Sequence, residues 1–157
     1  MMSSQERRRE KLEKILCRIA AESSSGTVVI VEGRKDKAAL RKLGLIGPIV
    51  CFKSSGRNLV DFLGDITAKK VIVLTDFDKE GRDLSVRISE ELAHLGKETD
   101  HALRKRLGAL VKQDARTIQS LFHCVERIRA EEIHRLVLRG SQRSEVPKTG
   151  LAALHDV

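Results

Sequence analysis

The sequence predicts an α/β protein: a compact, Rossmann-like parallel sheet flanked by helices, with an N-terminal helix and a basic C-terminal helical extension. Short, wholly apolar and β-branched runs such as Thr27–Val31 have the pattern of strands covered on both faces. These runs alternate with segments of helical periodicity, which is the order of βαβ units in a parallel sheet. The length of 157 residues suits one domain with a helical appendage.

The first predicted helix covers Met1–Ala21. Within it Leu12, Ile15, Leu16 and Ile19 recur at helical spacing, and a run of three serines followed by glycine ends it. The remaining predicted helices cover residues 34–43, 57–65, 84–95 and 113–139. The predicted strands cover residues 27–31, 48–52 and 70–75, with a weaker fourth candidate at 97–100.

These elements imply four segments along the chain. We expect an N-terminal helix (1–25), a catalytic-type core (26–100), a helical extension packed on the core (101–139) and a flexible tail (140–157). No apolar run approaches the roughly 20 residues of a bilayer span, and the N-terminus is charged, so no membrane partner and a cytoplasmic location are expected. The three cysteines are far apart and the five histidines lack ligand spacing, which disfavours disulfides and zinc.

The composition narrows the function classes. Aromatic residues are 3% of the chain, with no Trp and no Tyr, so stacked aromatic platforms have few residues and a tyrosine nucleophile is excluded from this chain. The net charge is +8, and most of the excess lies beyond residue 100. This charge favours a polyanionic partner, nucleic acid first, although a solvated basic face is the alternative.

Acidic side chains follow two of the predicted strands at their carboxyl ends. Glu32 comes directly after the first strand, and Asp76 and Asp78 after the third, with Glu80 close behind. Open α/β sheets bind their ligands at this edge, and converging carboxylates need a cation such as Mg²⁺. Taken alone, the Asp-x-Asp pair is equally well explained as a helix cap or turn.

The segments Val-Ile-Val-Glu32-Gly33 and Val-Leu-Thr-Asp76-Phe-Asp78-Lys-Glu80-Gly81 resemble the signature of the Toprim (topoisomerase-primase) domain, over roughly residues 26–100. The resemblance implies that Glu32 is the general base or a metal-linked acid–base residue. It implies that Asp76 and Asp78 bind Mg²⁺, for which Mn²⁺ can substitute, and that Glu80 assists.

Within that family the chain is similar to the small stand-alone proteins of archaea and bacteria, akin to the nuclease that matures 5S ribosomal RNA. Type IA topoisomerases need a tyrosine that this chain lacks, and bacterial primases need modules for which it has no room.

Basic and hydroxyl side chains near the acidic positions are candidate contacts to a nucleic-acid backbone. The candidates are Arg34, Lys35, Lys53, Ser55, Lys79, Arg82, Arg104, Lys105 and Arg106. For the serines of the turn at 53–56, capping of the helix from Arg57 is an equal alternative. Asp36 can orient Lys35, favour the start of its helix or, less often in such positions, take part in catalysis.

The first function hypothesis is a Mg²⁺-dependent, nuclease-like protein acting on phosphodiesters of structured RNA or DNA, with RNA favoured. The second is a non-catalytic nucleic-acid-binding or partner-recruiting module that works with a ribosomal or RNA-processing protein. A remote third is a phosphatase of the haloacid-dehalogenase type. Its disfavouring features are the position of the Asp-x-Asp pair after the third strand and the Glu at position 80.

Overall fold

A computed structural model describes residues 1–111 and 113–143 of the chain. Its strands are β1 (Val28–Val31), β2 (Ile49–Cys51), β3 (Lys70–Val73) and β4 (Glu98–Asp100). Its helices are α1 (Ser4–Ser24), α2 (Arg34–Lys42), α3 (Leu59–Gly64), α4 (Lys79–His94), α5 (Ala102–Val111) and α6 (Ile118–Arg143). This architecture confirms the predicted fold class.

The four strands form one parallel sheet in the order β2-β1-β3-β4. The two central strands, β1 and β3, are neighbours and pair Ile30 with Val73 near their carboxyl ends. Every residue of β1 is buried, as is the expectation for a strand covered on both faces. The weak fourth strand candidate is confirmed as β4, at the edge of the sheet beside β3.

One face of the sheet packs against α3 and α4. Val28, Ile30, Val71 and Val73 project from the strands into this core, and Ile88 of α4 is fully buried among them. Because alternate residues of a strand point to opposite faces, Val29 and Ile72 face the other way, and both are also fully buried. The sheet is therefore a two-sided scaffold whose carboxyl edge is held rigidly.

Several helix boundaries differ from the predictions, and two of the differences concern α3 and the segment before α6. α3 begins at Leu59 and is capped by Asn58, whose side chain accepts a hydrogen bond from the Asp61 amide, so the prediction that turn serines cap this helix is wrong. Ser55 instead donates to the Phe52 carbonyl within a single 3₁₀ turn at Lys53–Ser55. α5 precedes the long helix that the sequence placed at 113–139.

The chain divides into two compact units, residues 1–124 and 125–157. The described part of the second unit is helical up to Arg143 and carries an internal ion pair between Arg135 and Glu132 at 2.9 Å. The helix thus extends past residue 139, and the rest of the predicted flexible tail lies outside the described residues. The predicted packing of residues 101–139 on the core stays a prediction.

Candidate functional site

The topology places the two acidic motifs beside each other. Glu32 directly follows β1 and Asp76 lies three residues after β3, and these strands are adjacent in the sheet. The backbone continues the pairing past the strands, since the Leu74 amide donates to the Ile30 carbonyl at 2.8 Å. The convergence of these two carboxylates therefore follows from the strand order, which the sequence alone did not give.

Glu32 is 4% exposed and both of its carboxylate oxygens are engaged. Oε2 accepts a hydrogen bond from the Asp76 amide at 2.8 Å, and Oε1 pairs with the Lys53 ammonium at 2.8 Å. Burial works to raise the pKa of Glu32, but the hydrogen bonds from Lys53 and from Asp76 outweigh it and leave the pKa below its ordinary value. Glu32 is consequently a carboxylate at neutral pH.

The pKa of Asp76 shifts in the opposite direction to that of Glu32. Burial, together with the nearby carboxylates of Glu32 and Asp36, raises the pKa of Asp76 to about 7. A hydrogen bond that its Oδ1 accepts from the Ile118 amide, at 2.9 Å, opposes this rise without cancelling it. Burial close to two other carboxyls disfavours the ionised form of Asp76, a cost that a bound cation would relieve.

Asp36 is the third member of this group, although its sequence position favoured a role at the start of a helix over a role in the site. It is 8% exposed, and its Oδ2 accepts from the Gly33 amide at 3.0 Å. The Gln119 amide also donates to it, and burial raises its pKa. The signal was its place at the third residue of α2, where an acidic side chain folds back onto the start of the helix. We call Glu32, Asp36 and Asp76 the inner carboxylates.

Asp78 and Glu80, which we call the outer carboxylates, lie at the surface. The Asp78 side chain caps α4 by accepting from the Gly81 amide at 2.7 Å, so the helix-cap alternative is confirmed for this residue. Glu80 pairs with Lys53 at 3.2 Å. Lys53 thus bridges an inner and an outer carboxylate, and both pairings raise the pKa of its ammonium.

The oxygens of the inner group suit magnesium. Among residues 1–111 and 113–143 no three acidic, histidine or cysteine side chains are grouped as a ready-made metal site. Mg²⁺ does not require one, because proteins usually hold it with one or two carboxylates and leave the other positions to water and phosphate. The hard oxygens of Glu32 and Asp76, which lie close to each other and to Asp36, fit that arrangement.

The segment around α5 and the start of α6 holds the Asp76 loop from the side. Arg104 donates from Nε to the Thr75 carbonyl at 3.1 Å and from Nη2 to the Asp76 carbonyl at 2.5 Å. The Phe77 amide donates to the Arg116 carbonyl at 2.7 Å. Arg104 is only 9% exposed, and its side chain donates to the backbone of the loop. The sequence analysis instead grouped it with the surface cations.

The other predicted contacts divide among three surfaces. Arg34, Lys35 and Lys53 line a shallow cavity of about 370 Å³ over the inner carboxylates. Lys79, Arg82 and Lys105 line a larger cavity between α4 and α5. Arg106 lines a third cavity with Lys11 and Lys14 of α1, and Ser55 lines none of the three because its hydroxyl is turned to Phe52.

With this geometry in hand, the comparisons assign the family: a model described as the Toprim domain matches residues 27–110. The chain belongs to the Toprim family. A relative from Methanocaldococcus jannaschii, described as a UPF0292 protein, is 35% identical over 77% of this chain and 97% of its own length. Another UPF0292 protein, from Methanosarcina acetivorans, is 28% identical over 80% of this chain and 87% of its own length.

A solved structure of an Aquifex aeolicus protein is also similar. It is 26% identical, has a TM-score of 0.56, and the match covers 69% of this chain and 95% of that one. These findings confirm the resemblance to small stand-alone Toprim proteins with archaeal relatives. Toprim domains are associated with nucleic acids and typically bind Mg²⁺. None of the helices that the structure describes is both long and apolar enough to cross a bilayer.

Proposed function

We propose that this Toprim protein cleaves phosphodiesters of structured RNA or DNA with Mg²⁺, and that RNA is the favoured substrate. The observation that carries the proposal is the contact between Glu32 and the Asp76 loop across the adjacent strands β1 and β3, close to the buried carboxyl of Asp36. Glu32 and Asp76 are the residues that would hold the metal. Bound there, Mg²⁺ would neutralise charge on the scissile phosphate.

The side chains around the pocket divide the remaining work. Glu32, ionised and held by Lys53, would accept a proton from an attacking water. The exposed Arg34 and Lys35 at the start of α2 lie beside the same cavity and are positioned for phosphate oxygens. Asp78 and Glu80 remain candidate ligands on the outer side, through the carboxylate oxygens that are not held by Gly81 and Lys53.

The test is cleavage of end-labelled RNA and DNA hairpins with Mg²⁺, with Mn²⁺ and with EDTA. We expect metal-dependent products and a loss of about 100-fold or more in Glu32→Gln and in Asp76→Asn, the size typical of losing a general base or an electrostatic stabiliser. Glu90→Gln is the matched control, because Glu90 is an exposed carboxylate about three turns along α4. Equal cleavage by all four proteins would reject the proposal.

The second candidate is a module that binds nucleic acid without turnover and works with a ribosomal or RNA-processing protein. It is favoured by the backbone contacts of the acidic motif, because Oδ1 of Asp76 and Oδ1 of Asp78 each accept from an amide within the chain. For such a module we expect binding that weakens steeply with salt and no product with either metal. Products that require Mg²⁺ and disappear in Glu32→Gln would exclude it.

A further inference from the structure

A groove between α4 and α5 opens beside the acidic site. Its volume is about 760 Å³, within the range of roughly 300–1,000 Å³ that small-ligand sites occupy. Phe77 and Asp78, from the loop that carries the acidic motif, form one end of it. A ligand in this groove would therefore lie beside Asp78, two residues along the loop from Asp76.

Cationic side chains from both helices line the groove. Lys79 and Arg82 come from the first turn of α4, and Lys105 comes from α5 on the opposite wall. All three side chains are exposed, and Asp78 is the carboxylate among the lining residues. Two helices thus present positive charge toward the same space, an arrangement that suits a ligand with more than one phosphate.

The walls between these cations are partly apolar. Val86 of α4 is 52% exposed, and it lines the groove. Phe77 lies against Gly108 of α5, where an added Cβ would be 2.9 Å from its Cδ1. The absence of a side chain at Gly108 leaves room for the aromatic ring at the groove.

A groove that combines cations with apolar walls suits single-stranded nucleic acid better than a duplex. A duplex presents its phosphates outward and keeps its bases stacked inside, so it makes little use of an apolar wall in a groove between two helices. An unpaired nucleotide presents both a phosphate and a base face, and single-strand-binding grooves combine cations with an aromatic surface for these two parts.

We propose that the groove between α4 and α5 binds single-stranded nucleic acid, with phosphates on Lys79, Arg82 and Lys105 and an unpaired base against Phe77 and Val86. The inference rests on the proposed function and deepens it. It implies that the part of the substrate approaching Glu32 and Asp76 is an unpaired segment. The cleaved region of a structured RNA would then be a loop, bulge or end.

The test measures binding in EDTA, where no metal-dependent cleavage takes place. Fluorescence anisotropy would compare a labelled 12-nucleotide single strand, as RNA and as DNA, with a blunt duplex of the same sequence. We expect the single strand to bind more tightly than the duplex. Arg82→Glu and Lys105→Glu should each weaken single-strand binding about tenfold and lower the salt slope by about 0.7 for each lost phosphate contact.

Arg87→Glu is the matched control. Arg87 is an exposed arginine on α4 like Arg82, but it does not line the groove, and its substitution makes the same change in net charge. We expect it to change affinity less than twofold. Val86→Ser tests the base contact at an exposed position, and we expect a loss of about fivefold for the single strand, because an apolar contact is removed. Its thermal unfolding should match that of the unmodified protein.

Equal losses in Arg82→Glu and Arg87→Glu would overturn the inference, as would a blunt duplex that binds as tightly as the single strand. The two proposals fail separately. Single-strand binding that depends on Arg82 without any cleavage would leave the groove in place and remove the nuclease. Mg²⁺-dependent cleavage that the groove variants leave unchanged would do the reverse.

Discussion

The inner and outer carboxylates of the site have the same chemistry and different environments. Glu32 is 4% exposed and both of its carboxylate oxygens have partners. The side chain of Glu80 is 76% exposed and pairs with the Lys53 ammonium through one oxygen. Burial and neighbouring charge raise the pKa of Asp76 to about 7, while Asp78, two residues on, caps a helix at the surface. Position in the fold, rather than the Asp-x-Asp pattern, decides which carboxylates lie together beneath the surface and which face the solvent.

This contrast depends on how tightly the backbone of the Asp76 loop is held. Gly81 brings the first turn of α4 against the loop, and a Cβ there would be 1.9 Å from the Asp76 carbonyl oxygen. Thr75 strengthens the approach by donating from its hydroxyl to the Gly81 carbonyl at 2.6 Å. Changes at these contacts should disturb the inner group more than changes at the surface do.

The largest effect is expected for Gly81→Ala. The new methyl group meets backbone, which cannot move aside without shifting Asp76, so we expect a loss of about 3 kcal/mol in the free energy of unfolding. Urea denaturation checks this. Gly64→Ala is the control, since nothing lies within 4 Å of its added Cβ, and it should be neutral or slightly stabilising. Equal stability of the two variants would contradict the close approach.

Arg104→Met should have the next largest effect. It removes the donors to the Thr75 and Asp76 carbonyls while keeping much of the apolar stem, so the buried carbonyls lose their partners. We expect a loss of about 2 kcal/mol. Arg106→Ala, two residues on and exposed, should change stability by less than about 0.5 kcal/mol. A similar small change for both would show that Arg104 does not hold the loop.

Asp78 allows its two possible roles to be separated. Asp78→Ala removes the cap of α4 and should cost about 1 kcal/mol, whereas Asp78→Asn keeps a capping oxygen and should cost much less. If Asp78 also binds the metal, both variants should reduce Mg²⁺-dependent cleavage by similar factors. Thermal unfolding and cleavage assays on the same samples give the two readouts. Full cleavage by Asp78→Asn would leave Asp78 with the cap alone.

The stability of the protein also depends on pH. Because the pKa of Asp76 is raised to about 7 from its ordinary value of 3.8, the folded protein binds more protons than the unfolded chain between these values. Stability in EDTA should therefore fall as pH rises from about 4 to about 7. The lowered pKa of Glu32 acts in the opposite direction, but below its ordinary value of 4.5, at the acid end of this range. Melting temperatures of Asp76→Asn should decline less over this range, and parallel curves would contradict the assignment.

Several features of the site could be predicted because they are local. The buried β-branched runs identified β1 and β3, and the residues that follow them placed Glu32 and Asp76 at strand ends. Asp36 received too little weight because its sequence signal is that of a helix start. Its nearness to Asp76 depends on how α2 and the start of α6 pack, which local spacing does not encode.

The basic residues after the core also show what local spacing cannot predict. Arg104, Lys105 and Arg106 are consecutive, and all three were predicted to contact a nucleic-acid backbone. On a helix each successive residue is turned by about 100°, so they lie on three different sides of α5. Arg104 holds the Asp76 loop, Lys105 lines the groove with α4, and Arg106 lines the cavity with α1.

The sequence by itself determined the α/β class, the family and the strand-end position of the acidic residues, because periodicity and motif spacing are properties of neighbouring residues. Only the tertiary structure decided which carboxylates are buried together, which cation is structural and where a groove opens. Those outcomes depend on strand order and helix packing, which bring residues such as Glu32, Asp76 and Ile118 together from distant parts of the chain.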